Sequence, residues 1–189
     1  MIYVILPAYN EEQSLPTLLP KIAAALEGRP DGYRVIVCDD GSRDKSGEIL
    51  NEYAAKMPIE VLTHRINRGL GETVRDLVEK VVERSDPDDI VIRMDCDDTH
   101  EPDVIPSMVA KIVEGYDVVI ASRFQPGGGQ QGVTPYRAFI SRSANLFMKL
   151  FFPIDGVQEY SCGFRAYRAS TLQQAVSFYG NNFIELKVL

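Results

Sequence analysis

Residues 90–97 read Ile-Val-Ile-Arg-Met-Asp-Cys-Asp, a largely apolar run that ends in two carboxylates. We interpret residues 90–94 as a strand, because short runs without alternation are typical of strands buried on both faces of a parallel sheet. Four further runs have this character and lie at residues 3–6, 34–38, 60–63 and 118–121. The chain is therefore predicted to contain five buried strands.

Segments with helical periodicity lie between and after these strands. Apolar residues recur at helical spacing over residues 15–26, 70–82, 104–112 and 136–151. Alternation of strands and helices predicts an α/β fold with a doubly wound parallel sheet. The last helical segment ends in the strongly apolar residues 146–153. We favour a core helix for these residues, and a membrane-contacting amphipathic helix is the alternative.

Length and charge narrow the classes of function. The chain has 189 residues, with 20 Lys and Arg against 27 Asp and Glu, which gives a net charge of −7. This length suits one domain with a sizeable core. The acidic balance argues against a sequence-independent nucleic-acid binder, which needs a basic face, and against a polybasic membrane-surface protein. We therefore expect no nucleic-acid partner.

The cysteines and the apolar runs bear on the compartment. Cys38, Cys96 and Cys162 are odd in number and widely scattered, and they show no zinc-ligand spacing with the two histidines. No apolar run approaches the roughly 20 residues of a spanning helix. The first strand lacks the basic flank and the length of a signal peptide. We expect a protein of a reducing compartment, the cytoplasm.

Polar residues follow each predicted strand. In an open parallel sheet, ligands bind beyond the carboxyl ends of the strands, so these clusters are predicted to converge at one edge. The clusters lie at residues 7–12, 39–42, 64–69, 95–100 and 122–124. A functional edge explains this coincidence better than a set of solvated loops does.

Asp95 and Asp97 lie at the centre of this edge. Two carboxylates at positions i and i+2 after a buried strand can present oxygen ligands to Mg²⁺ or Mn²⁺, with substrate phosphates completing the site. Asp39 and Asp40 are candidates either for a second metal or for hydrogen bonds to a base and a ribose. The guanidinium of Arg123 can hold a phosphate or form a surface salt bridge.

Five segments together carry a family resemblance. They are VILPAYNEE at 4–12, VIVCDDGSRD at 35–44, NRGLG at 67–71, MDCD at 94–97 and ASRF at 121–124. With these segments the chain resembles the inverting family-2 nucleotide-sugar glycosyltransferases of the GT-A fold. That resemblance implies a Rossmann-like, three-layer α/β/α fold with a mainly parallel central sheet. Residues 135–145 and SCGFRAYR at 161–168 are similar to the branch of dolichol-phosphate mannose synthases and polyprenyl-phosphate glycosyltransferases.

The resemblance also implies roles for individual residues. It assigns nucleotide-sugar binding to residues at four strand ends: Pro7, Tyr9, Glu11, Asp39, Asp95, Cys96, Asp97 and Arg123. It assigns the metal, Mg²⁺ or Mn²⁺, to Asp95 and Asp97, and catalytic roles to Asp97 and Arg123. It assigns the acceptor phosphate to Arg137 and Ser141. This chain has Thr99 where the branch commonly has a glutamine metal ligand, which would shift that ligand to Asp98 or to water.

The implied reaction moves a hexose from GDP-mannose or UDP-glucose to a polyprenyl or dolichyl phosphate, with peripheral contact at the cytoplasmic face of a membrane. An acceptor phosphate is already an anion, whereas a sugar hydroxyl needs a carboxylate base, for which Asp103 and Glu159 are the candidates. We favour the lipid phosphate.

We expect residues 1–189 to form a single GT-A catalytic domain that is truncated at its C-terminus, in an oligomeric state that the sequence leaves open.

Three alternatives remain open. One is a family-2 transferase that acts on a glycan hydroxyl, and another is a non-catalytic module that binds a nucleotide sugar. The third follows from residues 95–99, which fit the D-x-D-x-[TV] motif of haloacid-dehalogenase-like phosphatases. That family normally carries its nucleophile on the first strand, and here the motif follows the fourth, so we disfavour it.

Overall fold

A six-stranded sheet forms the centre of the protein. The computed structural model describes residues 1–29, 31–97, 99–123 and 135–179, with the side chains of 135–139 and 179 outside that description. The strands are β1 (Ile2–Ala8), β2 (Tyr33–Asp39), β3 (Ile59–Thr63), β4 (Ile90–Arg93), β5 (Val118–Ile120) and β6 (Arg165–Arg168). The five strands predicted from apolar runs are all present.

The strand order is β3-β2-β1-β4-β6-β5. β1 pairs in parallel with β2 and β4, and β2 pairs in parallel with β3. β6 is antiparallel to both of its neighbours, β4 and β5. β5 therefore runs in the same direction as β4, and the carboxyl ends of β1 to β5 meet at one edge. The prediction of a mainly parallel sheet is confirmed.

Helices cover both faces of the sheet and complete three layers. They are α1 (Leu15–Ala25), α2 (Ser46–Ala54), α3 (Leu70–Val82), α4 (Ile105–Val113), α5 (Pro135–Phe151) and α6 (Ala169–Tyr179). One core cluster joins α1, α2 and α4 to the sheet, and a second joins α3 and α6 to its other face. Both faces are therefore buried under helices, which explains why the strands are continuously apolar.

The sequence did not predict β6. Its residues Arg165-Ala-Tyr-Arg168 lack an apolar run, so local pattern gives no strand signal. Pairing with β4 and β5 holds it instead. The Arg165 guanidinium donates to the nearby carbonyls of Tyr160 and Cys162, and the Arg168 guanidinium donates to the distant carbonyl of Ile112. These bonds satisfy the arginines that a sequence pattern would leave in solvent.

The expectation of a core helix at the end of α5 is wrong. The apolar side chains here are more than half exposed: Leu146 (59%), Phe147 (54%), Leu150 (70%), Phe151 (65%), Phe152 (59%) and Ile154 (60%). The sheet faces are already covered by other helices, and α5 is instead tied to the following loop by polar contacts. Asn145 donates to the carbonyl of Gln158 and accepts the amide of Tyr160, at 2.8 and 2.9 Å. We call the six exposed side chains the apolar patch.

None of the helices in the described part of the chain combines the length and the apolar character that a membrane crossing needs.

Candidate active site

Two adjoining cavities lie at the carboxyl edge of the sheet. The larger, of about 470 Å³, contains most of the residues predicted to bind the donor: Pro7, Tyr9, Glu11, Asp95, Cys96 and Asp97. The smaller, of about 250 Å³, is lined by Asp39, the turn after β2 and the segment after β3. Tyr9 lines both cavities. The strand ends therefore converge as predicted, because the parallel register brings them to one edge.

Asp39 is positioned by the turn that follows β2. Its side chain is buried, and its Oδ1 atom accepts the amide of Ser42 at 2.9 Å. Glu11, at the end of β1, faces the other acids of the larger cavity. Burial raises the pKa of Glu11, and the carboxylates of Asp97, Asp44 and Asp95 raise it further. A bound cation would relieve this crowding of negative charge.

Asp95 is held by a buried arginine that sequence reasoning missed. The Arg93 side chain, on the last residue of β4, is only 5% exposed, and one of its terminal nitrogens lies 3.0 Å from Asp95 Oδ1. Gly163 leaves room for this pair, since a Cβ at that position would overlap the guanidinium and lie 2.9 Å from Asp95 Oδ2. The available signal was a charged residue inside an apolar strand, two positions before a carboxylate.

Thr99 orients Asp97. Its hydroxyl donates to Asp97 Oδ1 at 2.6 Å, and its amide lies 3.2 Å from the same oxygen. The residue that stands in place of the family's glutamine therefore acts on the second carboxylate of the pair. Asp98, the other ligand considered, lies outside the described residues.

The two carboxylates fit a divalent cation that keeps other ligands. Within the described ranges, no group of three or more histidine, cysteine, aspartate or glutamate side chains could hold a metal ion. Asp95 and Asp97 can supply two protein ligands, and Mg²⁺ and Mn²⁺ commonly combine such a pair with water and substrate phosphates. The donor set suits a cation that is completed by a diphosphate.

His100, for which the sequence predicted no role, contacts the site. Its Nδ1 atom accepts the amide of Asp95 at 3.2 Å, and its ring stacks on Phe164 with centroids 5.1 Å apart. Burial lowers the pKa of His100, while Asp95 and Asp97 act in the opposite direction and Arg93 and Arg123 lower it further. Because its Nδ1 atom accepts a hydrogen bond, the ring is a positioning element for Asp95.

Arg123 is joined to Glu159. The backbone amide and the Nε atom of Arg123 each donate to the Glu159 carboxylate at 2.8 Å, and a terminal nitrogen also donates to it. Glu159 is fully buried. This pair fixes Arg123 at the end of β5 and engages Glu159, which therefore does not suit the role of general base that we considered for a hydroxyl acceptor.

Ser141 and Asp103 are not among the described residues that line the two cavities. Ser141 lies in α5 and is half-buried, and the side chain of Arg137 falls outside the described residues. Asp103 is an exposed residue of a 3-10 turn at Pro102–Val104. The three cysteines are free and buried, in agreement with a core role.

Hydrogen bonds occupy both oxygens of Asp40. Burial acts to raise the pKa of Asp40, but hydrogen bonds from His64 and from the amides of Arg68 and Gly69 hold it below its usual value. This arrangement favours a structural role for Asp40, and a second metal shared with Asp39 stays an untested alternative.

Comparisons with known proteins identify the family and agree with the fold. The family model described as Glycosyl transferase family 2 matches residues 3–175. The chain therefore belongs to glycosyltransferase family 2. This membership excludes the phosphatase alternative, which rested on the motif at residues 95–99.

Two relatives within the family have names that specify a lipid phosphate. The chain is 33% identical over 171 residues to the dolichol-phosphate mannosyltransferase of Pyrococcus furiosus, covering 90% of this chain and 47% of that protein. It is 32% identical over 173 residues to the undecaprenyl-phosphate 4-deoxy-4-formamido-L-arabinose transferase of Pseudomonas paraeruginosa, covering 92% and 48%. The chain thus spans about half the length of these relatives.

Solved structures share the architecture. S. aureus TarS 1–349 in complex with UDP superposes with a TM-score of 0.63 at 21% identity, covering 92% of this chain and 48% of that one. The glucosyl-3-phosphoglycerate synthase of Mycobacterium tuberculosis, in complex with Mn²⁺, UDP-glucose and phosphoglyceric acid, superposes with a TM-score of 0.63 at 20% identity, covering 89% and 56%. These likenesses establish the GT-A fold.

Proposed function

We propose that this protein is a metal-dependent, inverting hexosyltransferase that moves a sugar from a nucleoside diphosphate sugar to a polyprenyl or dolichyl phosphate. The observation that carries the proposal is the cavity of about 470 Å³ with Asp95 and Asp97 in its wall. The names of the two relatives support a polyprenyl-type phosphate acceptor. GDP-mannose and UDP-glucose are the donors that we consider, and residues 1–189 would act as one catalytic domain.

The chain's own residues would hold the donor in place. Asp95 and Asp97 would bind Mg²⁺ or Mn²⁺ together with the diphosphate, and Asp39 and Tyr9 would bind the base and the ribose in the smaller cavity. The cation supplies electrostatic stabilisation of the departing nucleoside diphosphate. Arg93 and Thr99 would keep the two carboxylates in position.

Neither candidate carboxylate suits the role of general base, and this favours an acceptor that is already an anion. A hydroxyl acceptor needs a carboxylate that can take its proton, and Glu159 is buried and paired with Arg123. Asp103 is not among the described residues that line the two cavities. An acceptor phosphate needs no base, and we propose that Arg137 and Ser141 hold it.

Nucleotide binding is the first test. With Mn²⁺ present, UDP or GDP at about 100 times its Kd should stabilise the protein by about 2.7 kcal/mol and raise the Tm by about 5 to 10 °C. ADP, CDP and chelated samples are the controls. No shift with either nucleotide would contradict the proposal. A shift without transfer to polyprenyl phosphate would favour the non-catalytic binding module.

Membrane contact is a second expectation, because the acceptor is a lipid. We propose that the apolar patch enters the headgroup region, since it places two packed aromatic rings, Phe147 and Phe151, in solvent with centroids 4.4 Å apart. Burying roughly 100 Å² of each ring is worth about 2.5 kcal/mol. The double variant Phe147→Ser/Phe151→Ser should therefore reduce co-sedimentation with anionic vesicles at least tenfold.

The matched control for this measurement is Phe178→Ser, which removes an exposed phenylalanine from α6. Vesicle binding by this control should equal that of the unmodified protein. Equal losses in both variants would show that general surface hydrophobicity, and not the apolar patch, drives the partitioning.

A further inference from the structure

A compact charged cluster lies beside the smaller cavity, formed by Asp40, His64, Arg68 and Asp76 and called here the His64 cluster. The His64 ring lies between two carboxylates, with Nδ1 2.6 Å from Asp40 Oδ1 and Nε2 2.8 Å from Asp76 Oδ2. The Arg68 guanidinium donates to Asp76 at 2.6 Å. The side chains of His64 and Asp40 are only 10% and 4% exposed. No sequence pattern joins His64 to the two carboxylates, because these lie on two other elements, the end of β2 and α3.

Hydrogen bonds to the end of β2 hold both ends of the segment between β3 and α3, and the His64 cluster supplies those at the far end. At the far end, the amides of Arg68 and Gly69 each donate to the Asp40 carboxylate at 2.8 Å. At the near end, the amide of His64 donates to the carbonyl of Asp39 at 2.9 Å. Segment 64–69 is thereby attached to the end of β2 at two points.

The middle of the segment packs directly on the turn after β2. Gly41 has a φ of +72°, and a Cβ there would lie 2.8 Å from the carbonyl carbon of Ile66 and 2.9 Å from the amide nitrogen of Asn67. The backbones therefore approach more closely than any side chain at position 41 would allow. Segment 64–69 is therefore held at its far end by the Asp40 carboxylate, at its near end by a backbone hydrogen bond and in its middle by close contact.

Segment 64–69 forms one wall of the smaller cavity. Thr63, His64 and residues 65–67 line it opposite Asp39 and Ser42. Removing a charged group from such a cluster leaves its buried partners uncompensated, so the rest of the cluster must rearrange. We expect segment 64–69 to move first, because Asp40 holds it.

We infer that His64 and Asp76 are positioning residues for the nucleotide: acting through Asp40, they hold segment 64–69 in the shape that receives the base before the donor arrives. Pre-organisation of this kind increases affinity, because the nucleotide does not have to order the cavity wall when it binds. It leaves the chemical step at Asp95 and Asp97 unchanged. The identity of the ligand, a nucleotide, rests on the proposed function. The ordering of segment 64–69 by the His64 cluster does not depend on it.

The experiment compares His64→Gln and Asp76→Asn with Arg75→Gln in the full chain. Arg75 neighbours Asp76 on α3, but it pairs with Glu79 at the surface. Three quantities are measured: amide hydrogen exchange without ligand, the Kd of UDP and GDP with Mn²⁺, and kcat and KM for the donor. In both cluster variants we expect the amides of residues 68 and 69 to exchange at least tenfold faster, with β1 and β4 unchanged.

We further expect the Kd and the donor KM to rise at least tenfold, with kcat within threefold of the unmodified protein and Arg75→Gln unaltered throughout. Unchanged exchange at residues 68 and 69 would overturn the inference, whether or not a nucleotide binds. A fall in kcat with an unchanged KM and a lower Tm would also overturn it, because that pattern reports a smaller folded fraction. If the unmodified protein bound neither nucleotide, the proposed function would fail, and hydrogen exchange would still decide the inference.

Discussion

Asp97→Asn is expected to abolish sugar transfer and to leave the fold intact. Asparagine keeps the shape of the side chain and can still accept the hydrogen bond from the Thr99 hydroxyl, which lies 2.6 Å from Asp97 Oδ1. It removes one of the two anionic ligands that we propose for the cation. Cation stabilisation of a leaving group is worth several kcal/mol, so the rate should fall by about 10³-fold or more.

The measurement is the initial rate of transfer at saturating Mn²⁺, together with a thermal melt. Because Asp97 is exposed, the Tm should shift by no more than about 2 °C. Asp103→Asn is the matched control, since it neutralises a nearby exposed carboxylate outside the two cavities. Full activity in Asp97→Asn, or an equal loss in the control, would remove Asp97 from the metal site.

Much of the fold follows from local pattern. The five predicted strands lie within two residues of those observed, because strands buried on both faces carry continuous apolar runs. The convergence of residues 7–12, 39–42 and 95–97 follows from parallel direction alone. Such information is contained in each segment, and it needs no knowledge of which strands are neighbours.

The parts that were missed depend on contacts between distant segments. Arg93 and Gly163 are 70 residues apart in sequence and meet only because β6 inserts between β4 and β5. His64 gains its role from carboxylates on two other elements. A sequence pattern assigns neither partner, since it records spacing along the chain and not the order of strands in the sheet.

The apolar patch was misassigned for a different reason. Periodicity marks the face of α5 that avoids water, but it does not say whether protein or lipid covers that face. The sheet already has helices on both faces, so the choice depended on the packing of the whole chain. The structure adds that no described residue covers this face.

Gly163→Ala is expected to lower both stability and transfer. Gly163 is not among the glycines with positive φ, so alanine strains the site by its volume and not by its backbone conformation. The added Cβ would overlap the Arg93 guanidinium and lie 2.9 Å from Asp95 Oδ2. Overpacking of this kind costs about 1 to 3 kcal/mol of folding free energy. A displacement of Asp95 by about 1 Å would lower the transfer rate by about 10²-fold.

Two variants separate these effects. Gly71→Ala adds the same methyl group within α3, where nothing lies within 4 Å, and its Tm should equal or exceed that of the unmodified protein. Adding Arg93→Met to Gly163→Ala should relieve the overlap and recover most of the Tm, but the rate should stay low because Asp95 has lost its charged partner. Recovery of both quantities in the double variant would show that Arg93 fills space beside Asp95 and does not position it.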